Sequence, residues 1–568
     1  MVGLFFVTTL LAQTKTIKIV GVGKQVNPYQ YQTVKKANFS KAGVASAHPI
    51  ASEIGAAIMK RGGNAFDAAI ATQLALAVVY PQAGNIGGGG FLVAKTAKGK
   101  TIALDYREKA PAKASRNMYL DAAGNAQTQL SQNGHLAAGV PGTISGLFAT
   151  LPYAKLPFAE LIQPAIDVAE FGFAITKQEA NNLNNHRKLF IENSTNAFPF
   201  VKQNGDWKEG DTLVQTDLAN SLKKVRDVGA KGFYEGKTAE LIEAEMLAGK
   251  GIITKTDLKN YQTAIRKPLN FSYKGLEIIG MPPPSSGGII LLQLMKMIEK
   301  KPLQQYGFHS TQAVQLMIEA ERRAYADRAA HMGDPDFWKV PIKTLQSNYY
   351  INNRMSNYDS TKATPSSTIN AGEIKEHEET THISIIDQWG NAVSITTTLN
   401  GTYGSHTVVA GAGFILNNEM DDFSIKPGVP NMYGAIGGQA NAIAANKRML
   451  SSMTPTLVLK NKQPFIVVGT PGGTTIPTSV FQTLVNLLEF NQSAYDAIAN
   501  PRFHHQWLPD EVFVEKGFPD ATKEALQKMG YKITPRGPMG RVEVIKKINN
   551  NRFEIAADPR GDDSVAGF

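Results

Sequence analysis

Thr380 stands where a polar stretch meets an apolar one, and a threonine there can do acyl-transfer chemistry on one condition. Its hydroxyl is a poor nucleophile until a base takes the proton, and a free α-amino group, with a pKa of about 7.7–8, can be that base. In the intact chain the Thr380 nitrogen is an amide, so the uncut protein is expected to be inactive. The same hydroxyl can attack the carbonyl of Glu379 to give an ester that water hydrolyses. That cut leaves Thr380 as a new N-terminus carrying nucleophile and base together. Such chemistry also needs an oxyanion hole, typically paired backbone N–H groups in a conformation that favours glycine. Thr470-Pro471-Gly472-Gly473-Thr474, after the apolar run PFIVVG, offers one. Leu450-Ser451-Ser452-Met453 and the segment Asn417-Asn418-Glu419-Met420-Asp421-Asp422-Phe423 add hydroxyl donors and carboxylates. Taken singly, each of these segments reads as an ordinary turn, a cap or a solvated loop.

The elements around Thr380 are legible from periodicity. Residues 355–379 are polar, without period, and read as an exposed, mobile loop. Directly after it, THISIIDQWGNAVSITTTL gives two strand patterns around Gly390-Asn391, and TLVLK-NKQ-PFIVVG gives a second hairpin. Residues 49–79 read as helix interrupted at Gly62-Gly63, the second half apolar on most faces and so buried. FLVA and TIALDY follow Gly87-Gly88-Gly89-Gly90 as strands, and helical patterns span 158–170, 309–332 and 476–490. Apolar strands with helices outside them predict a layered α/β or α+β sandwich.

Bulk properties exclude more than they assign. The chain has 568 residues, enough to bury a large core, and its +11 charge comes from 59 basic and 48 acidic residues scattered without a stripe suited to nucleic acid. The absence of cysteine excludes disulfides, thiolate metal sites, cysteine catalysis and a lipoprotein anchor. Leu4 to Leu11 form a short apolar run, so residues 1–13 are expected to be a signal peptide and the protein periplasmic or secreted.

With these stretches in view, the chain resembles the γ-glutamyltranspeptidases, within the N-terminal-nucleophile hydrolases. The resemblance spans about residues 40–568 and rests on GNAFDAAIATQLALAVVYPQAGNIGGGGFL, LDYREKAP, PPPSSGG, AYADRAAHMGDPDF, TTHISIIDQWGNAVSITTTLNGTYG, NNEMDDFS, LSSMTPT, GTPGG and PRFHHQWLPD, in the family's order. It implies an α+β, four-layer αββα sandwich whose single core is built from a large fragment, 14–379, and a small one, 380–568, cut between Glu379 and Thr380. It further implies that Thr380 is the nucleophile, that Thr398 orients its amine and hydroxyl, and that Gly472 and Gly473 supply the oxyanion N–H groups. Arg107, with Ser451 and Ser452, would clamp the α-carboxylate of a γ-glutamyl donor. Asn400, Glu419 and Asp422 would hold its α-ammonium, and Tyr433 would tip a lid over the pocket. Opposed charges at fixed spacing suit a zwitterion. The expected activity is transfer of the γ-glutamyl group of glutathione or related amides to water, amino acids or peptides. No cofactor and no metal is implied, and the partner expected for each fragment is the other. Alternatives are a β-lactam side-chain acylase of the same superfamily and a non-catalytic binder of γ-glutamyl ligands. His382 and the pair His504-His505 are expected to be structural, and Gly87–Gly90 to serve close packing.

Overall fold

A computed structural model describes residues 17–18, 25–369, 380–426 and 438–568. Residues 1–13, Glu379 and Tyr433 lie outside the described residues. Two seven-stranded sheets stack face to face. The first runs, edge to edge, Ser564–Gly567, Gly43–Ser46, Thr381–Ile386, Ala392–Thr398, Gly89–Lys95, Thr101–Tyr106 and Ala264–Arg266, with every pairing antiparallel. The second runs Leu269–Tyr273, Leu276–Gly280, Thr456–Lys460, Gln463–Gly469, Glu543–Asn549, Arg552–Ala557 and Lys36–Phe39.

Strand alternation sorts the apolar side chains into three cores. Phe91, Val93 and Ala103 of the first sheet meet Leu457, Val467 and Ile545 of the second between the sheets. Ile383, Ile385 and Ile395 point the other way, against the helices Pro49–Lys60, Ala65–Val79 and Phe158–Phe171. Ile278, Val458 and Val468 pack outward against Gly287–Ile298, Thr311–His331 and Thr475–Leu488. The result is the four-layer αββα sandwich expected from the sequence. Strands covered on both faces are buried along their length, as all six residues of Thr381–Ile386 are. The predicted break in the first helical region is also present. Its second half, Ala65–Val79, is buried at every position and is capped by Asn64 and Asp67 in a reciprocal capping box.

One expectation changes. The polar run from 355 is not exposed throughout. Ser366 is buried, its N–H donates to Asp510 Oδ2 at 2.7 Å, and Trp507 Nε1 donates to the carbonyls of Ser366 and Ile369 at 3.0 and 2.9 Å. Polar residues can be buried where the fold supplies partners for their backbone, which composition alone does not reveal. Residues 370–379 lie outside the described residues.

Both sheets mix strands from before and after residue 380, so breaking the chain there separates no core. One close link is at the glycine run. A Cβ on Gly88 would sit 2.1 Å from the carbonyl oxygen of Thr398 and 2.8 Å from Asn85 Oδ1. Asn85 Nδ2 in turn donates to that Thr398 carbonyl at 2.9 Å, while Gly88 N–H donates to Asn85 Oδ1 at 3.0 Å. Close backbone approach, not phosphate binding, explains the glycines. Gly88→Ala is expected to destabilise the protein by about 1–3 kcal/mol, read as a lower urea midpoint at unchanged slope.

Candidate active site

Thr380 immediately precedes the strand Thr381–Ile386 and is buried, with 5% of its surface exposed. Thr381 pairs with Thr397 in the neighbouring strand, and one further step of that register sets Thr380 opposite Thr398. The Thr398 hydroxyl accepts from the N–H of Asn400 at 2.7 Å. Asn400 adopts a left-handed conformation, φ 75°, and donates from Nδ2 to the carbonyl of Asn418 at 3.0 Å. Asn418 Oδ1 accepts from Gly401 N–H at 2.8 Å, so the turn after Thr398 is tied to the segment carrying Glu419 and Asp422.

Gly472 and Gly473 follow the strand Gln463–Gly469 with φ of 134° and 52°, a backbone that side chains with a Cβ rarely adopt. Gly472 O accepts from Thr475 N–H at 2.9 Å, and the helix Thr475–Leu488 starts there. The positive end of that helix lies where an oxyanion would benefit.

Arg107 is fully buried at the end of the strand Thr101–Tyr106. Its Nη1 lies 2.5 Å from Glu419 Oε2 and 3.6 Å from Glu108 Oε2, its Nη2 bonds Asp422 Oδ2, and its carbonyl accepts from Tyr261 OH at 2.7 Å. Burial opposes its charge, but Glu419, Asp422 and Glu108 outweigh burial and hold it protonated. Three carboxyl groups lie around Arg107, and Arg328 also acts on Asp422, so the cluster sets three acids against two guanidiniums and is short of positive charge. Burial pushes Glu108 up to about 8 despite the opposing pull of Arg107, and burial likewise raises Glu419 and Asp422. The sequence assigned Arg107 and the two acids to opposite ends of a ligand; the structure has them in contact with one another.

Ser451 and Ser452 complete the wall. Ser451 Oγ accepts from Met453 N–H at 3.1 Å, and Ser451 O accepts from both the N–H and the hydroxyl of Ser286 at 2.8 Å. Ser452 Oγ accepts from Arg328 Nη2 at 3.1 Å, and Arg328 Nε donates to Ser286 Oγ at 3.2 Å. Thr380, Thr398, Asn400, Arg107, Glu419, Asp422, Ser451, Ser452 and Gly473 all line one small cavity, together with Arg328. Gly472 borders the groove beside it.

Sequence reasoning missed Arg328, Glu108 and Asn85. The histidines are structural. His382, two residues past Thr380, is buried and held near a pKa of 3 by burial, with Nδ1 2.9 Å from Thr396 Oγ1 and Nε2 3.1 Å from Ser384 Oγ. His504 bonds Thr478 and Gln506, and His505 bonds Trp507 N–H and Asp510. Among the described residues no group of three His, Asp or Glu is arranged to hold a metal ion.

Known proteins resemble this chain in sequence and fold. The sequence model of the gamma-glutamyltranspeptidase family matches residues 51–568. The glutathione hydrolase proenzyme of Escherichia coli (strain K12) is 45% identical over 530 residues, covering 92% of this chain and 91% of that one. The crystal structure of Helicobacter pylori γ-glutamyltranspeptidase superposes with a TM-score of 0.56 at 46% identity, covering 58% of this chain and 94% of that one. A cephalosporin acylase from Bacillus halodurans shares the fold at a TM-score of 0.82 and 25% identity, covering 96% and 99%. On the family match and the extent of the E. coli likeness, the chain belongs to the γ-glutamyltranspeptidase family.

Proposed function

We propose that the chain is a self-cleaving γ-glutamyltransferase and glutathione hydrolase, with Thr380 as nucleophile. The observation that carries this reading is that Thr380 and Thr398 share one cavity with Arg107 and its carboxylates. In maturation the Thr380 hydroxyl attacks the Glu379 carbonyl, and water hydrolyses the resulting ester. This leaves fragments 14–379 and 380–568, with residues 1–13 removed as a signal peptide and the enzyme periplasmic or secreted. Among the described residues no helix is long and apolar enough to cross a membrane.

In turnover the freed α-amine takes the Thr380 hydroxyl proton as the oxygen attacks the donor's γ-carbonyl. Thr398 keeps amine and hydroxyl aligned, and the N–H groups of Gly472 and Gly473 hold the developing oxyanion. The C–N bond breaks, the leaving amine takes the proton, and a γ-glutamyl ester of Thr380 remains for water or an amine to resolve. A donor exchanges the internal contacts of the site: its α-carboxylate goes to Arg107, Ser451 and Ser452, and its ammonium to Asn400, Glu419 and Asp422. The added ammonium supplies the positive charge that the cluster lacks. A glutaryl side chain carries no ammonium, so the carboxyl groups favour γ-glutamyl donors over glutaryl amides. The lid role of Tyr433 belongs to the same reading.

Thr380→Ala is expected to leave a single uncleaved chain on denaturing gels and to bring γ-glutamyl turnover to background, with the fold retained by circular dichroism. Self-cleavage surviving that change would move the nucleophile elsewhere. The charge cluster sets a pH dependence. Below about 8 Glu108 holds a proton, whereas the ammonium prefers the ionised form, so binding releases a proton and tightens as pH rises towards that value. The inhibition constant of L-glutamate, which has the same zwitterionic end, is expected to fall by roughly a factor of 3–10 from pH 6 to 8, and Glu108→Gln is expected to flatten that slope.

A further inference from the structure

Gly472 and Gly473 have φ of 134° and 52°, and no Cβ restrains either, so the peptide between them turns over easily unless the chain beside it is held. Inside the loop the carbonyls bind only near neighbours. Pro471 O accepts from Thr470 Oγ1 at 2.8 Å, Gly472 O from Thr475 Oγ1 at 2.7 Å, and Gly473 O from Ile476 N–H at 3.3 Å. Among the described residues neither glycine N–H donates to any group.

The anchor from outside is on Thr474, which lines the cavity of Thr380. Thr474 is the N-cap of the helix Thr475–Leu488, where a threonine hydroxyl ordinarily accepts from the first N–H groups of the helix. Here it caps nothing. Thr474 Oγ1 donates instead to Gln506 Oε1 at 2.7 Å, and Thr474 O accepts from Tyr325 OH on the helix Thr311–His331. Gln506 is itself held in place. His504 Nε2 lies 2.7 Å from the same Oε1, and an amide oxygen only accepts, so that nitrogen carries the proton. Burial keeps the imidazole neutral, with a pKa near 3, and its Nδ1 lies 2.8 Å from Thr478 Oγ1. The ring meets Tyr325 edge-on with centres 5.6 Å apart, and the strand Phe503–His504 pairs with Val512–Glu515. Gln506 and His504 are fully buried, and a buried polar chain with its donors and acceptors matched is stiff.

We propose that Gln506 is a positioning residue for the oxyanion pair: its amide oxygen, oriented by His504, holds Thr474 and thereby fixes the peptides of Gly472 and Gly473. It touches no substrate and acts through Thr474. The inference rests on the γ-glutamyl-transfer reading above. It gives a task to His504 and Gln506 of the PRFHHQWLPD stretch, which that reading leaves unused.

The test uses Gln506→Met, which keeps the length but removes the acceptor, and Thr474→Val, which keeps the shape but removes the donor. Making and resolving the ester both pass through an oxyanion, so kcat reports the pair whichever step limits. For γ-glutamyl-p-nitroanilide, kcat per cleaved chain is expected to fall about tenfold or more in each variant, with KM within about threefold of the wild type. The inhibition constant of L-glutamate, which reads only the zwitterion site, is expected to stay within about threefold. The double variant is expected to lose no more than the weaker single one, because both remove the same bond. A kcat within about twofold of the wild type overturns the proposal, as do losses that multiply in the double variant or a glutamate constant that weakens in step with kcat. If Gln506→Met yields no cleaved chain, Thr474→Val decides by the same kcat and glutamate criteria. A wild type that does not turn over the anilide removes the γ-glutamyl reading and this inference with it.

Discussion

A threonine can serve as its own base only when its nitrogen is an amine, and in this chain the nitrogen of Thr380 is bonded to Glu379. In the proposed account everything else answers to that constraint. The nucleophile must begin a strand, so that its register is fixed on one side and the peptide to be cut lies on the other. The fold must also survive the cut. Thr381–Ile386 lies between Gly43–Ser46 from before the junction and Ala392–Thr398 from after it, while Ser564–Gly567 closes the same edge. Hydrogen bonds across the first sheet therefore hold the two fragments together without the covalent link.

The second requirement is a polar pocket that tolerates burial. Arg107 faces Glu108, Glu419 and Asp422 in a buried cluster, an arrangement in which removing one partner leaves an uncompensated charge and costs roughly 3–5 kcal/mol. The surplus of acid is what makes a cation welcome. The specificity proposed here thus comes from charge imbalance in a buried cluster, and the cluster itself spans the junction, with Arg107 before residue 380 and Glu419 and Asp422 after it.

Much of this was legible in the sequence, for reasons that vary by residue. The junction at Thr380 shows because composition and period change together there, and the buried helix Ala65–Val79 shows because it is apolar on most faces. A layered sandwich followed from many apolar strands with helices outside them, and its two-sheet, four-layer form from the family resemblance. Arg328 did not show, because its role depends on reaching Ser452, 124 positions away. Asn85 matters only because a carbonyl from Thr398 passes within hydrogen-bonding distance of it. The segment around Ser366 looked solvated because its partners, Trp507 and Asp510, come from a distant part of the chain. Local pattern reports which face is apolar; it does not report which polar groups meet.

The central claim is that one residue becomes nucleophile and base by being cut free. N-terminal sequencing of the smaller fragment from matured, active protein tests it most directly. The account requires that fragment to begin Thr380-Thr381-His382 and to run to Phe568. An active protein whose chain is intact, or whose smaller fragment begins at any other residue, would contradict it.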